Sequence, residues 1–398
     1  MEPEEEPMAY SLFSSNNGKW YDASQLVHDI EYTTSLESQP GKLTFMVEKD
    51  PTGKYQVSIG SVVRFYSDKR LVFEGKVFTV ETDRTDVYRI TAYDALRYLK
   101  NSNCILVENM SLNDLFAKII NAYGLKGTTT KWIYEQLKSS TVPPLETHNF
   151  WDKTCFDILD YYMSSVGTKL YANSVAPLKG ENSTANVISR LYLRCKGETI
   201  QMRELRYDFW YNEDGTPRTK FLKIGDGSLL TDYNYKVDID NDVYNRFMFV
   251  YNNKDATSEG SDETHEQVQK KQLFAGIDSG HIVTNTNTSL DGKAIGENTI
   301  PKWGVLCKVI EVNTLEYPNL IAEYMKAAVE FYNQPSRTLK IDALGYDGVY
   351  AGSGFFLELS KLGVTMPVYV VSATHRYNAD EHTMELEVST NKDMRAFL

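Results

Sequence analysis

Apolar and polar positions alternate with a period of two through much of the first hundred residues. Lys42–Glu48 places Leu43, Phe45 and Val47 on one face, and Val62–Tyr66 and Leu71–Val80 continue the pattern. Asp50-Pro51-Thr52-Gly53 and Ser67-Asp68-Lys69 separate these runs with residues that favour turns. Short strands at this spacing predict a small antiparallel barrel or sandwich. The period then changes. Ser111 and Asp114 open a helix in which Leu112, Leu115, Phe116, Ile119, Ile120 and Tyr123 share a face before Gly124 stops it. A second helix is expected over Asp152–Ser165, with Cys155, Ile158, Leu159, Tyr162, Met163 and Val166 on one stripe, then strands near Lys169–Ala172 and Ile188–Cys195.

Strand spacing returns after Glu204. Asn212-Glu213-Asp214-Gly215 reads as a hairpin tip between strands Leu205–Tyr211 and Lys220–Ile224, and Arg246–Tyr251 follows. A helix near Asn319–Tyr332 turns Leu320, Ile321, Tyr324, Met325 and Ala328 inward and ends at Gln334-Pro335. Strands at Thr338–Ala343, Gly354–Leu359, Val368–Thr374 and Thr383–Val388 close the chain. The expected fold class is mainly β with an α+β insert: two similar antiparallel β-barrel, tube-like domains, a small α/β domain and a late helix. The domains expected are an acidic extension over 1–25, a first barrel over 26–103, the α/β domain over 104–203 and a second barrel over 204–398. The last contains a polar loop excursion over 255–298 and the helix at 317–333.

The two β regions read as copies of one motif. Gly60–Ser67 (GSVVRFYS) matches Gly352–Ser360 (GSGFFLELS), each a Gly-Ser turn opening a strand that closes on Ser. Downstream, Phe78–Arg84 aligns with Val370–Arg376, and Val87–Thr91 with Met384–Val388. Any two antiparallel hairpins share alternation and Gly-Ser turns, so the pattern by itself leaves coincidence open beside duplication.

At 398 residues the chain is long enough for two or three domains with a substantial core. Its 27 tyrosines suit strands and interfaces, where the ring packs and the hydroxyl stays paired. A net charge of -12 argues against gripping nucleic acid by its phosphates, so no sequence-specific nucleic-acid binding is expected. Cys104, Cys155, Cys195 and Cys307 form no C-x-x-C pair and read as reduced thiols. The opening MEPEEEP lacks the features of a signal peptide, and no apolar run is long enough for a membrane-spanning segment.

Candidate chemistry is sparse. None of the six histidines lies in a helical metal-binding spacing. His375 and His382 flank the last hairpin turn with Asp380 and Glu381 between them, which outlines a loose metal site, but exposed turn residues are the preferred reading. Asp238, Asp240 and Asp242 begin like a calcium loop, yet Val243 and Phe249 occupy the positions that need Gly and Glu. The glycines at 348, 352 and 354 lie between strands and serve turns or a bulge rather than a phosphate cradle. No catalytic, cofactor-binding or metal site and no cofactor is therefore expected, and the chain reads as a non-enzyme.

One family brings these pieces together. The run VVRFYSDKRLVFEGKVFTVETDRTDVYRITAYDALRYL resembles the first barrel of phage baseplate hub proteins, the XkdQ-like and late-control-D-like proteins related to the hub part of VgrG spikes. The positions that carry it are Gly60, Ser61 and Val63, then Val72, Phe73, Gly75 and Val77, then Ala92, Tyr93, Asp94 and Leu99. Thr154–Tyr171, Asp240–Asn252, Lys302–Val312 and the last two strand pairs extend it over about residues 26 to 390, least of all at 255–298. The resemblance implies a homotrimer whose two barrels alternate around a channel, a pseudo-sixfold ring between the hexameric tail tube protein and the trimeric spike protein. Other baseplate components are expected as neighbours, with assembly in the host cytoplasm and residence in the baseplate of a phage or tailocin. Two other readings are a tail-associated peptidoglycan hydrolase, for which no appended catalytic module is seen, and a glycan- or receptor-binding tail module. Trp20, Trp132, Trp151, Trp210 and Trp303 are too scattered to form a sugar-stacking platform. The excursion at 255–298 and the acidic Glu2–Glu6 are the segments expected to meet neighbouring proteins, if they are not simply solvated.

Overall fold

The computed structural model describes residues 10–390 except 17, 54, 83, 85, 138–143, 173–189, 241–242, 254–269, 281–295, 312–328, 330–331 and 379–380. The acidic Glu2–Glu6, most of the 255–298 excursion and most of the helix expected at 317–333 lie outside the described residues. The chain forms two compact units, one of residues 1–235 with 339–396, the other of 236–338. Among the described residues no helix is long and apolar enough to cross a membrane.

Thirteen strands of the larger unit, with the ends of two of them reaching into the smaller, form one sheet. They are β1 (Tyr10–Asn16), β2 (Lys19–Asp22), β3 (Val27–Ser35), β4 (Lys42–Glu48), β5 (Val62–Ser67), β6 (Arg70–Thr82) and β7 (Val87–Tyr93). The remainder are β8 (Lys223–Gly225), β9 (Leu230–Asp238), β10 (Ser336–Leu344), β11 (Gly354–Leu359), β12 (Val364–Tyr377) and β13 (His382–Thr390). The sheet runs β9-β10-β13-β12-β3-β4-β7-β6-β5-β1-β2, with β11 joining β12 to β8. The expected alternation is present: Leu43, Phe45 and Val47 of β4 are buried, as are Val63 and Phe65 of β5. β1 and β2 precede the first strand that the pattern predicted. No pair of described strands closes the path, so the two β regions share one open sheet.

Within that sheet the order β3-β4-β7-β6-β5-β1 is repeated as β9-β10-β13-β12-β11-β8. Backbone bonds at the turns coincide. The Gly60 N–H donates to the Val77 carbonyl at 2.8 Å and the Val77 N–H to the Ser61 carbonyl at 2.9 Å; Gly352, Val370 and Ser353 make the same two bonds at 2.9 Å. Both glycines need a positive φ, 86° and 94°, which a side chain would resist. A bulge follows at the same point in each copy, between Val77 and Thr79 and between Val370 and Ser372. Coincident bulges are hard to reach by chance, since each is a specific insertion in a ladder. The duplication is therefore structural. The sequence alignment needs one correction: Val370 corresponds to Val77 rather than Phe78, and Met384 to Tyr88 rather than Val87. The β11–β12 connection, 360–363, is two residues longer than the β5–β6 connection, 68–69, and a bulge in β6 opposite Phe65 and Tyr66 takes one residue back, neither of which alternation counts. The copies also differ in strand direction at one place, because β1 runs antiparallel to β5 whereas β8 runs parallel to β11.

The intervening α/β part packs α1 (Leu112–Ala122), α2 (Lys131–Leu137) and α3 (Cys155–Ala172) on two small sheets. Leu115, Ile119, Ile158, Leu159, Ile200 and Met202 are buried in its core. Ser111 and Asp114 form the expected capping box, each side chain bonding the other's backbone N–H. Replacing Ser111 by Ala is expected to lower stability by about 1 kcal/mol, read as a lower urea midpoint at unchanged slope. Two expectations need correction here. α3 continues through Gly167, so Lys169–Ala172 is helical rather than a strand, while Asp152–Thr154 belongs to the strand His148–Thr154. Leu205–Trp210 is a short helix, α4, instead of a strand. The Glu204 carboxylate accepts the Tyr207 N–H at 2.7 Å, and Asp208 is drawn one turn back onto Arg203.

The smaller unit pairs Arg246–Asn253 with Lys270–Asp278 and with Cys307–Glu311. Lys270–Gln272, read from sequence as loop, is thus strand. Asn245, fully buried, bonds Thr299 and the Gly304 carbonyl through its amide nitrogen and accepts the Leu306 N–H at 2.8 Å.

Candidate functional site: the seam between the two repeats

The copies meet where β12 runs antiparallel to β3, from Ser372 opposite Ser35 to Tyr377 opposite Ile30. Side chains cross the seam. Thr33 and Thr374 hydroxyls lie 3.3 Å apart, and Arg376 reaches Glu31 of the first repeat at 3.3 Å and Glu385 at 3.1 Å. The Thr34 hydroxyl accepts the Ala351 N–H at 2.9 Å. Tyr377 belongs to the second repeat but packs in the core of the first, edge-on to Phe65 with ring centres 4.8 Å apart.

Behind the seam the structure corrects the reading of the histidines. His375 and His382 are buried, at 2 % and 6 % exposure, rather than exposed at the turn. His375 alternates with Ala373 and Tyr377 on one face of β12, and His382 with Met384 and Leu386 on one face of β13, so period two carries both inward. The signal was in the sequence, masked by the polar turn between them. His375 Nδ1 lies 2.9 Å from His382 Nε2, and His375 Nε2 lies 2.8 Å from the Val349 carbonyl. A carbonyl only accepts, so His375 carries its proton on Nε2, and His382 Nε2–H donates to its Nδ1. Burial, reinforced by His382, pushes the His375 pKa down to about 4, and burial lowers His382 as well. Both rings are neutral at pH 7. The Tyr377 hydroxyl donates to Asp347 at 2.8 Å, and Gly345 lies so close beneath the His382 ring that a Cβ there would stand 2.0 Å from it.

Asp347, His375 and His382 bring three potential ligand atoms within 4.8 Å of one another, the one such group among the described residues. To hold a divalent cation the histidines would have to surrender the bond that joins them, because His375 Nδ1 and His382 Nε2 now satisfy each other. His382 Nδ1 stands 3.8 Å from Asp347 Oδ1, and the bonds the cluster does make form a chain that fixes the last hairpin against the seam.

A cavity of about 400 Å³ opens beside it, lined among others by Tyr32, Asp94, Arg194, Tyr350 and His375. Arg194 stacks on the Tyr350 ring, 3.6 Å from its centre. Asp94 accepts the Gly41 and Leu96 N–H groups at 3.0 Å each, so it ties β4's entry to the short 3₁₀ helix Ala95–Lys100. Burial pushes its carboxyl up to about 7 against the pull of those two donors. The Ala92-Tyr93-Asp94 motif therefore has a structural role. Gly348, Gly352 and Gly354 lie in and after the turns before β11. Asp238 ends β9 and pairs with Lys236 at 2.6 Å, while Asp242 lies outside the described residues.

The architecture is that of phage tail proteins. It is similar to the 43 kDa tail protein of prophage MuSo2 from Shewanella oneidensis, with a TM-score of 0.61 at 10 % identity over 96 % of this chain and 99 % of that one. The tail protein from Neisseria meningitidis MC58 matches with a TM-score of 0.59 at 12 % identity over 97 % and 99 % of the two chains. Prophage tail protein gp18 from Listeria monocytogenes EGD-e matches at 0.54 and 10 % identity over 95 % and 94 %. No curated protein matches in sequence. The chain belongs to the YQBQ-like family, whose model matches residues 30–168 and 285–389, more than half of it.

Proposed function

We propose that this protein is the structural hub of a contractile-tail baseplate, in a phage or a tailocin. Three copies, each with two equivalent β repeats, make a ring of six similar units that fits a hexameric tail tube protein on one side and a trimeric spike protein on the other. The observation that carries this reading is the repeat of one strand order, turn and bulge within a single sheet. The shared fold with prophage tail proteins supports it. The role is architectural rather than catalytic: the buried polar cluster spends its hydrogen bonds on holding strands together. Other baseplate components surround the ring, which assembles in the host cytoplasm and resides in the tail. A net charge of -12 suits a conduit for polyanionic cargo. The test is the native mass of the purified chain across concentration. A species near three times 45.4 kDa is expected, and a persistent monomer or an even-numbered oligomer contradicts the reading.

A further inference from the structure

The cavity beside the seam lies within the larger unit, and its wall carries one cation that no described residue pairs. Asp94 takes the Gly41 and Leu96 N–H groups, Asp347 takes the Tyr377 hydroxyl, and Lys196 meets Glu213. His375 is neutral, and Arg70 at the start of β6 is exposed to water. Arg194 differs. Among the described residues its guanidinium makes no hydrogen bond and no ion pair, and its Nη1 is buried. The face of Tyr350, 3.6 Å away, supports it, and Glu213 feels its charge less than it feels Lys196 and Arg203. A stacked ring offsets only part of the cost of drawing a guanidinium out of water, and it leaves the N–H edge free to bind. Arg194 is half-buried and lines a space of about 400 Å³ into which an acceptor can come.

The acceptor that fits carries a single negative charge. A guanidinium edge takes a carboxylate through two parallel bonds, whereas the carboxyls of Asp94, Glu213 and Asp347 on the same wall oppose a dianion such as phosphate. The chain itself brings such groups to the rim. β1 begins at Tyr10, whose ring meets that of Tyr377, a wall residue, with centres 5.3 Å apart. Tyr10 lies opposite Ser67, and Ser67 opposite Arg70, another wall residue, so the chain enters β1 beside the cavity. Glu4, Glu5 and Glu6 precede Tyr10 by four to six residues, roughly 13–20 Å of extended chain. We propose that the cavity is a carboxylate site anchored on Arg194, and that a glutamate of the same chain, from Glu4–Glu6, fills it. Such a contact fastens the opening strand of the first repeat to Arg194 of the α/β part and Tyr350 of the second repeat. It lies within one chain, so its test is independent of the oligomeric state.

The experiment compares four full-length chains: the parent, Glu4→Gln with Glu5→Gln and Glu6→Gln, Arg194→Met, and all of these together. The three Gln substitutions are expected to lower the urea midpoint of the parent and to leave that of Arg194→Met unchanged. An equal drop in both backgrounds, or none in the parent, overturns the glutamate as occupant. Added carboxylate gives a second reading that does not depend on how well Arg194→Met folds. Sodium glutarate, set against sodium chloride at equal ionic strength, is expected to raise the midpoint of the triple Gln chain saturably towards the parental value. In the parent the tethered glutamates compete at a millimolar local concentration, so half-saturation should need about tenfold more glutarate. A parent that responds at the same glutarate concentration as the triple Gln chain overturns the tethered occupant and marks the cavity as a site for free carboxylates. If glutarate stabilises neither chain, or if inorganic phosphate acts as strongly as glutarate, the carboxylate site itself is overturned.

Discussion

Replacing Asp208 by Ala is expected to cost about 3–5 kcal/mol of stability, because it deprives a buried guanidinium of its bidentate partner. Asp208 and Arg203 are 2 % and 5 % exposed at their side chains. The guanidinium grips the carboxylate with two parallel bonds, Nε to Oδ2 at 2.7 Å and Nη2 to Oδ1 at 2.6 Å. The Tyr192 hydroxyl adds a third at 2.5 Å. Removing the carboxylate takes from the cation its two short bonds and from the phenol its acceptor, leaving Arg203 only Gln201 at 3.1 Å and the half-exposed Glu213 at 4.0 Å, and a poorly paired buried charge is far costlier than a missing pair. The loss also reaches the second repeat. Tyr192 packs over the Gly352 turn so closely that a Cβ on Gly352 would stand 2.4 Å from its ring. Urea unfolding of Asp208→Ala checks the magnitude. The double variant Arg203→Met with Asp208→Leu should recover most of the loss, because no charge then remains unpaired. If the double variant is as unstable as the single one, packing rather than charge governs the site.

Period-two alternation made the strands of both repeats legible, since each buries one face and the apolar residues must fall on it. It also carried the information for His375 and His382, at inward positions of β12 and β13, but the polar residues between them drew the reading towards an exposed turn. Where a long-range partner decides, local pattern failed. Leu205–Trp210 has strand-like alternation, yet the Asp208–Arg203 pair and the Glu204 cap wind it into a helix. Gly167 looked like a stop because glycine usually ends helices, yet α3 runs on through it. The duplication was visible as text, but its register was not. Two turns of different length shift the alignment by a residue, and only the shared bulges and turn bonds fix it.

Acidification from pH 6.5 to 4 is expected to remove about 3 kcal/mol of stability through His375 alone. Its pKa in the folded protein is about 4, against 6.5 for a histidine free in water. Between those values the unfolded chain binds a proton that the folded chain refuses, so stability falls as the pH falls. The contribution is complete above pH 6.5 and exhausted below about 4. The cause is burial first and His382 second: with Nε2–H given to the Val349 carbonyl, a proton on Nδ1 would face the Nε2–H of His382. Protonation must either break that bond or move the His382 proton to its Nδ1, and in both cases it buries a charge beside β12, the strand that joins the repeats at the seam. Other groups titrate in the same window, Asp94 at its upper end and ordinary carboxylates in its lower part, so the effect is isolated by difference. Denaturant midpoints of the parent and of His375→Gln, measured from pH 7 to pH 4, should diverge. Gln can still donate to the Val349 carbonyl but takes up no proton, so its stability is lower at pH 7 and declines less steeply. Parallel declines would mean that His375 is not the group refusing the proton.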